Sequence, residues 1–384
     1  MRITQVGAAL VESGWVLVRV RTDAGITGLG EAYHGAGVHQ IAVDERLTRA
    51  LIGQDPRNVN RLFKDMMGAM SASGFYQGAV MSAISGIEMA LWDITGQACG
   101  QPIWRMLGGC YRDTIRIYAD CHAGDEETPE SYVAKARAVE ACGFTALKFD
   151  IDPLPQMRDK HSRALSSAEI DYYVEVVTAL REGIGPATEL AIDAHWYYPP
   201  VDILKVAHRL EGLDLLWLED PIPPENVAAM REVKRQTTLP ICTGENFYTR
   251  HGFRELVETQ AADIICPDIA KAGGLAESKR IAELGELYYL PLAPHNVCSP
   301  VGTYAMAHVC ATVPNFLVLE YHFHHDPHWP LFVRAADPAR SPLGPDGHLI
   351  QNGYVRMTEA PGLGLVPDEA HVRARLREDL GFLS

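Results

Sequence analysis

The sequence is short of positive charge: 34 lysines and arginines face 49 aspartates and glutamates, a net charge of −15. A nucleic-acid binder needs a basic face for phosphates, so this deficit argues against that class. It leaves room for an anionic small molecule, because a bound cation and a few lysines reverse the local field. The chain also lacks a C-x-x-C pair. Its eight cysteines are scattered, which suits reduced thiols in a cytoplasm better than a disulfide frame. No apolar run approaches the ~20 residues of a membrane span. The N-terminal MRITQVGAALVESG has no basic region followed by an apolar core. No Gly-x-Gly-x-x-Gly opens a helix, and the nearest pattern, Gly362-Leu363-Gly364, leads to a proline instead. The expectation is a soluble, cytoplasmic protein with no membrane or nucleic-acid partner.

What is present falls into two rhythms. Residues 2–33 alternate as antiparallel strands do, with a turn at Asp23-Ala24-Gly25. Helical periodicity follows over about 39–52, 57–70 and 78–100. Sheet followed by helices predicts an α+β unit over 1–113. The Tyr33-His34-Gly35 and Ser73-Gly74-Phe75-Tyr76 turns read as loops able to close over a neighbouring site. From Thr114 short apolar strands alternate with helices: IRIYAD, TALKFD, ELAIDA, LLWLED, PICTGE, DIICPD, LPLAPH and LVLEYH. Eight such strands predict a (β/α) barrel over 114–335 rather than a doubly wound sheet, because nearly every strand ends in a polar residue. Residues 336–384 carry a hairpin on Asn352-Gly353 and are expected to return to the first unit.

Within the barrel, Asp193, Glu219 and Glu245 each end a strand, 26 residues apart in both steps. Strands of that repeat lie side by side and parallel, so their terminal carboxylates converge. Three converging carboxylates repel unless a cation sits among them. An all-oxygen donor set without Cys or His points to Mg²⁺.

Other polar residues share these strand ends. His195, two past Asp193, is expected to face the same mouth, as Asp150 does two past Lys148. Asp220 follows Glu219 directly and reads as a supporting acid facing away. Asp268 and His295 end neighbouring strands, where a carboxylate beside an imidazole sets its tautomer and prepares a base. Glu320 ends the eighth strand as a candidate partner for a substrate oxygen. Lys148 reads as a cation at the mouth, either a base or a ligand for a substrate carboxylate. Asp150, Trp196, the cap-loop residues Tyr33 and His34, and His322 in the His322-Phe323-His324-His325 segment are candidate substrate contacts.

These strand ends resemble the enolase superfamily in its mandelate racemase branch, as do GIEMALWDITGQACGQPIWRMLGG, LEDPIPPEN and APHNVCSP. The resemblance covers nearly the whole chain. It implies a (β/α)₇β modified TIM barrel under an α+β capping domain that the C-terminal tail completes. It also implies Mg²⁺ on Asp193, Glu219 and Glu245, a His295–Asp268 dyad and a homo-oligomer. One departure is informative. The racemase pattern on the second strand is Lys-x-Lys, and here it reads Lys148-Phe149-Asp150, which puts two-base racemisation in doubt. Asp193-Ala194-His195 instead looks like the acid-sugar dehydratases of the branch, galactonate dehydratases among them, where that His is the general acid.

The expected reaction takes the proton α to a sugar-acid carboxylate through an enediolate, then loses the 3-hydroxyl to leave a 2-keto-3-deoxy acid. His295 would be the base, His195 the acid, and Glu320 a ligand of the carboxylate or of the enediolate. The rivals are a racemase, epimerase or lactone cycloisomerase on the same residues, a metal-independent glycosidase, and a sugar-acid binding protein without turnover.

Overall fold

The structure is a computed structural model, describing all residues except Ala36, Phe75, Gly124, Asp125, 153–163, His324 and His325. Phe75, His324 and His325, named above, therefore lie outside the described residues. Three antiparallel strands open the chain, β1 (Ile3–Val11), β2 (Val16–Thr22) and β3 (Thr27–Ala32). Helices α1 (Val38–Ala42), α2 (Glu45–Leu51), α3 (Val59–Ala69) and the long α4 (Gly78–Cys99) follow. The periodicity over 39–52 breaks in two because Asp44 turns its side chain onto the Arg46 amide and starts α2 as its N-cap. α4 lies directly on β3. A Cβ added at Gly30 would sit 2.0 Å from the Gly86 carbonyl oxygen, so only glycine permits this approach.

After α5 (Ile103–Met106) the barrel begins. Its parallel strands are β4 (Thr114–Cys121), β5 (Ala146–Asp150), β6 (Glu189–Asp193), β7 (Leu215–Glu219), β8 (Ile241–Thr243) and β9 (Ile264–Ile265), hydrogen-bonded in that order. Around them run α6 (Pro129–Ala141), α7 (Ser167–Gly183), α8 (Pro200–Leu210), α9 (Val227–Gln236), α10 (Thr249–Glu258), α11 (Ile269–Ala272), α12 (Gly274–Glu286) and α13 (Pro300–Ala311). Capping boxes at Thr128 and Ser166 start α6 and α7. The seventh position, expected from LPLAPH, is not a regular strand. Leu292 makes single bridges to Ile265 and Phe316, since Pro291 and Pro294 have no amide hydrogen to extend a ladder. β10 (Leu319–His322) then pairs with β4 and closes the barrel.

The C-terminal segment divides its allegiance. β11 (Val333–Ala335) pairs with β14 (Leu365–Pro367), and the hairpin β12 (Ile350–Gln351) and β13 (Tyr354–Arg356) joins barrel strand β4. The hairpin turn has positive φ at Asn352 and Gly353, as a type I′ turn needs. The segment meets the cap first where the Leu363 amide donates to Asp93 of α4 at 2.8 Å, and after α14 (Glu369–Ala374) β15 (Leu376–Leu380) pairs with β1. No helix among the described residues is long and apolar enough to cross a membrane.

Cap and barrel are joined by buried carboxylates set at helix N-termini, where unpaired amides and the helix dipole favour an anion. Glu31, from β3, accepts the Ser299 and Gly302 amides at the start of α13, at 2.8 and 2.9 Å. Glu88, from α4, accepts the Leu275 and Ala276 amides at the start of α12, at 2.8 and 3.1 Å. Burial pushes both carboxyls up to about 7 against those hydrogen bonds.

Candidate active site

The barrel interior explains where the polar ring comes from. Tyr118, Ala146, Ala191, Trp217, Cys242, Ile264, Cys266, Ala293 and Val318 form one buried cluster to which every one of the eight barrel positions contributes, the sixth through both Ile264 and Cys266. Two residues further along, the same inward parity reaches Asp120, Lys148, Asp193, Glu219, Asp268, His295 and Glu320, all buried. The fifth position is the exception. Two past Cys242 stands Gly244, and Glu245 comes one residue later, beyond the end of β8. Gly244 has φ +154°, and a Cβ there would lie 2.9 Å from the Cys266 amide nitrogen. The kink turns Glu245 inward although it has left the strand. Register confirms the offset, because Asp193 pairs with Glu219 while Glu219 pairs with Cys242.

Lys148 belongs to this ring and is closed off from solvent. It is 1% exposed, and its Nζ lies 2.9 Å from carboxylate oxygens of Asp193, Glu219 and Glu320. Burial alone would lower its pKa, but the three acids hold it well above the ordinary lysine value. Glu320 also accepts the Asn296 amide at 2.8 Å. Glu219 takes a hydrogen bond from the Trp217 indole at 2.7 Å. Glu245 lies 2.9 Å from His295 Nε2 and 3.7 Å from Lys271 Nζ. Burial works against its ionisation, and these two cations overcome that and hold the carboxyl low.

Two imidazoles flank the ring, and each is held at Nδ1 by its own carboxylate. His295 Nδ1 lies 2.7 Å from Asp268 and its Nε2 faces Glu245. His195 Nδ1 lies 2.7 Å from Asp152, and its Nε2 is 3.8 Å from Asp193. His195 faces the mouth for a reason other than strand alternation. β6 stops at Asp193, and His195 and Trp196 then adopt φ +41° and +50°, a region non-glycine residues seldom enter. The His195 amide donates to Asp193 Oδ1 at 2.8 Å, which fixes the turn. Burial lowers the His195 pKa, but Asp193, Asp152 and Asp150 carry it up to about 12. Asp220, also at positive φ (+39°), is buried as a supporting acid and accepts from the Thr243 hydroxyl at 2.5 Å.

From the cap, Tyr33 places its ring over Lys271 Nζ at 4.1 Å, and His34 stacks on Tyr33 at 4.0 Å. Trp196 packs edge-on against His195 at 5.4 Å. Asp150 and His322 belong to a neighbouring cluster with His122. Sequence reasoning missed Asp152, Lys271, Asp120 and His122. Asp152 continues the Lys148-Phe149-Asp150 alternation by two residues. Lys271 stands three residues past Asp268, where a short helix was not foreseen.

The donor set fits a dication. Around the mouth Asp120, Asp150, Asp193, Glu219, Asp220, Glu245, Asp268 and Glu320 are buried acids. The facing cations are Lys148, Lys271 and at most four imidazoles: His122, His195, His295 and His322. With every acid ionised and every imidazole protonated, two negative charges would be unbalanced, to be met by protons or by a dication. Burial accordingly pushes Glu219 well above the ordinary carboxylate range and Asp220 up to about 8. Two groups of described residues have ligand atoms all within 4.8 Å of one another, Asp120–His122–His322 and Asp150–Asp152–His195. The trio of Asp193, Glu219 and Glu245 is not one of these groups. Its oxygens turn to Lys148, Trp217, His295 and Lys271 instead.

Comparison with known proteins agrees over the whole length. Residues 4–108 match the mandelate racemase / muconate lactonizing enzyme N-terminal domain, and residues 131–371 match the enolase C-terminal domain-like family. D-xylonate dehydratase of Haloferax volcanii is 43% identical over 380 residues, covering 98% of this chain and 89% of that one. D-galactonate dehydratase of Ralstonia pickettii is 32% identical over 381 residues, covering 98% and 95%. Among solved structures, a mandelate racemase/muconate lactonizing enzyme-like protein from Rubrobacter xylanophilus superposes with TM-score 0.93 at 44% identity. That match covers 100% of this chain and 99% of the other.

Proposed function

The chain belongs to the mandelate racemase / muconate lactonizing enzyme family, and from that premise we propose that it is an acid-sugar dehydratase, a hydro-lyase. The substrate class is a five- or six-carbon aldonate, as the names of the xylonate and galactonate dehydratases suggest. The observation that carries the reading is the pair of imidazoles on either side of the ring, each clamped at Nδ1 by a carboxylate 2.7 Å away. Clamping at Nδ1 leaves Nε2 as the working atom of both.

Asp193, Glu219 and Glu245 would hold Mg²⁺, which when bound supplies a fixed positive charge against the substrate carboxylate and so makes the adjacent C–H ionisable. His295 takes the C2 proton at Nε2, and Asp268 keeps its ring in place. His195, held at Nδ1 by Asp152, delivers a proton from Nε2 to the 3-hydroxyl, which leaves as water. The enol then becomes the 2-keto-3-deoxy acid. Each proton transfer is worth roughly 10²–10⁴-fold. Glu320 and Lys148 shape the floor of the site. Racemisation or cycloisomerisation would need Lys148 as a second base, and its ammonium is committed to three carboxylates.

The test is a Mg²⁺-dependent screen against mono- and diacid sugars, followed by NMR in D₂O. A 2-keto-3-deoxy product is expected. Epimerised or lactonised products, or turnover that survives EDTA, would overturn the assignment. We place the protein in the cytoplasm, because its eight cysteines are free thiols. We also propose a homo-oligomer, joined through exposed apolar side chains such as Leu287 and Tyr289 beyond α12. Sedimentation at a single monomer mass would reject that assembly.

A further inference from the structure

One layer above the buried ring, the same inward parity brings His122 on from β4 and His322 at the end of β10 to neighbouring positions. Their Nε2 atoms lie 2.8 Å apart, and His322 Nε2 lies 3.6 Å from Asp120 Oδ2. We propose that Asp120, His122 and His322 form a second metal site, selective for a borderline divalent transition ion such as Zn²⁺ or Co²⁺ over Mg²⁺. This inference does not depend on the dehydratase reading.

Three observations carry it. The first is spacing: the ligand atoms of all three residues lie within 4.8 Å of one another, and 2.8 and 3.6 Å fall on either side of the roughly 3.0–3.4 Å that metal–nitrogen bonds of about 2.0–2.1 Å set between cis donors. The second observation is the orientation of His122. Its Nδ1 lies 2.9 Å from Asp150, whose carboxylate is buried, so Nδ1 carries the hydrogen and Nε2 presents a lone pair. A carboxylate behind a ligating imidazole is the usual outer support of such sites. The third is Asp120, only 6% exposed, with Oδ1 buried and lacking a hydrogen-bond partner. An unpaired carboxylate oxygen beside two imidazoles is costly unless a cation takes it.

Donor chemistry sets the selectivity. Mg²⁺ prefers oxygen and water, whereas two imidazoles and one carboxylate suit zinc and its neighbours. A cavity of about 260 Å³ lined by His122, Asp150, Asp152, Glu127 and Tyr132 opens onto His122 and offers an approach. The site stands apart from the Asp193–Glu219–Glu245 trio. Its donors come from the strands on either side of the barrel's closing seam, β4 and β10.

The test uses full-length, tag-free protein, stripped with chelator and dialysed against excess Mg²⁺. It is then titrated with Co²⁺ followed by visible absorption, and with Zn²⁺ by calorimetry. One equivalent is expected that excess Mg²⁺ does not displace, with the absorption of nitrogen-ligated cobalt. His122→Gln and His322→Gln should abolish it, and Asp150→Asn should weaken it by roughly 10–100-fold. Glu245→Gln should leave it intact. Absence of a Mg²⁺-resistant equivalent in the wild type overturns the site whether or not the variants fold. So does an equivalent that survives both histidine replacements, or one lost in Glu245→Gln alone, which would assign the ion to the trio.

Discussion

Asp268 divides its two oxygens between His295 and a helix. Oδ2 lies 2.7 Å from His295 Nδ1, and Oδ1 accepts the Ala270 amide at 2.7 Å as the N-cap of α11. The imidazole is therefore anchored to a rigid helix start rather than to a mobile loop. Asp268→Asn preserves a capping side chain but disturbs the ring tautomer. We expect kcat to fall by roughly 10²–10⁴-fold, with little change in Tm. Asp268→Ala also loses the cap, about 0.5–2 kcal/mol. Steady-state kinetics and thermal melts separate the two effects, and a wild-type rate in Asp268→Asn would remove the dyad from the reaction.

His195→Asn should separate the two halves of the chemistry. Proton removal at C2 rests on His295, so exchange of the C2 hydrogen with D₂O should continue while water loss falls by roughly 10²–10⁴-fold. NMR of recovered substrate reads both. Undiminished dehydration would reject His195 as the acid.

Magnesium binding should release protons. Burial lowers the His295 pKa, yet Glu245 and Glu320 hold it well above the ordinary histidine value. A dication on Glu245 withdraws that support, so the His295 pKa falls and its proton leaves. Calorimetry near pH 8 in two buffers of different ionisation enthalpy should report net proton release. Identical heats in both buffers would contradict the linkage.

His308 gives a pH dependence away from the site. It is buried, its Nδ1 accepts the Trp104 amide at 3.1 Å, and burial pushes its pKa down to about 4. Its folded pKa lies below its unfolded value, so its contribution is present above pH ~6.5 and is lost as pH falls towards 4. The loss is roughly 3 kcal/mol. Glu31 and Glu88 run the other way, with folded values of about 7: protonation favours the fold, and that stability is lost as pH rises. The clean readout is therefore the difference between wild type and His308→Asn in denaturant unfolding at pH 4.5 and 7. An unchanged difference at the two pH values would show that His308 does not titrate in that range.

The barrel and most of its polar ring were legible because strand alternation and strand ends are local patterns. Enclosure was not. Sequence gives the place of Lys148 along a strand but not the three carboxylates that surround its ammonium. Glu245 was picked out by a spacing that coincides with a repeat, whereas its direction depends on the Gly244 kink. His195 faces the mouth through positive φ, which no residue-type pattern announces for a histidine. The seventh strand failed because two prolines interrupt its ladder. His122 and His322, 200 residues apart, meet only because β10 closes on β4, so their pairing is a property of topology.

Glu31 and Glu88 have a consequence for traffic through the enzyme. Swinging the α+β unit away as a rigid lid would strip both helix starts of their anions at once, together with the apolar contact around them. Substrate entry and product exit must instead be governed by short peripheral segments, such as the one that carries Tyr33 and His34. Turnover limited by release should then respond to substitutions in those segments and be indifferent to changes that stiffen the body of the cap.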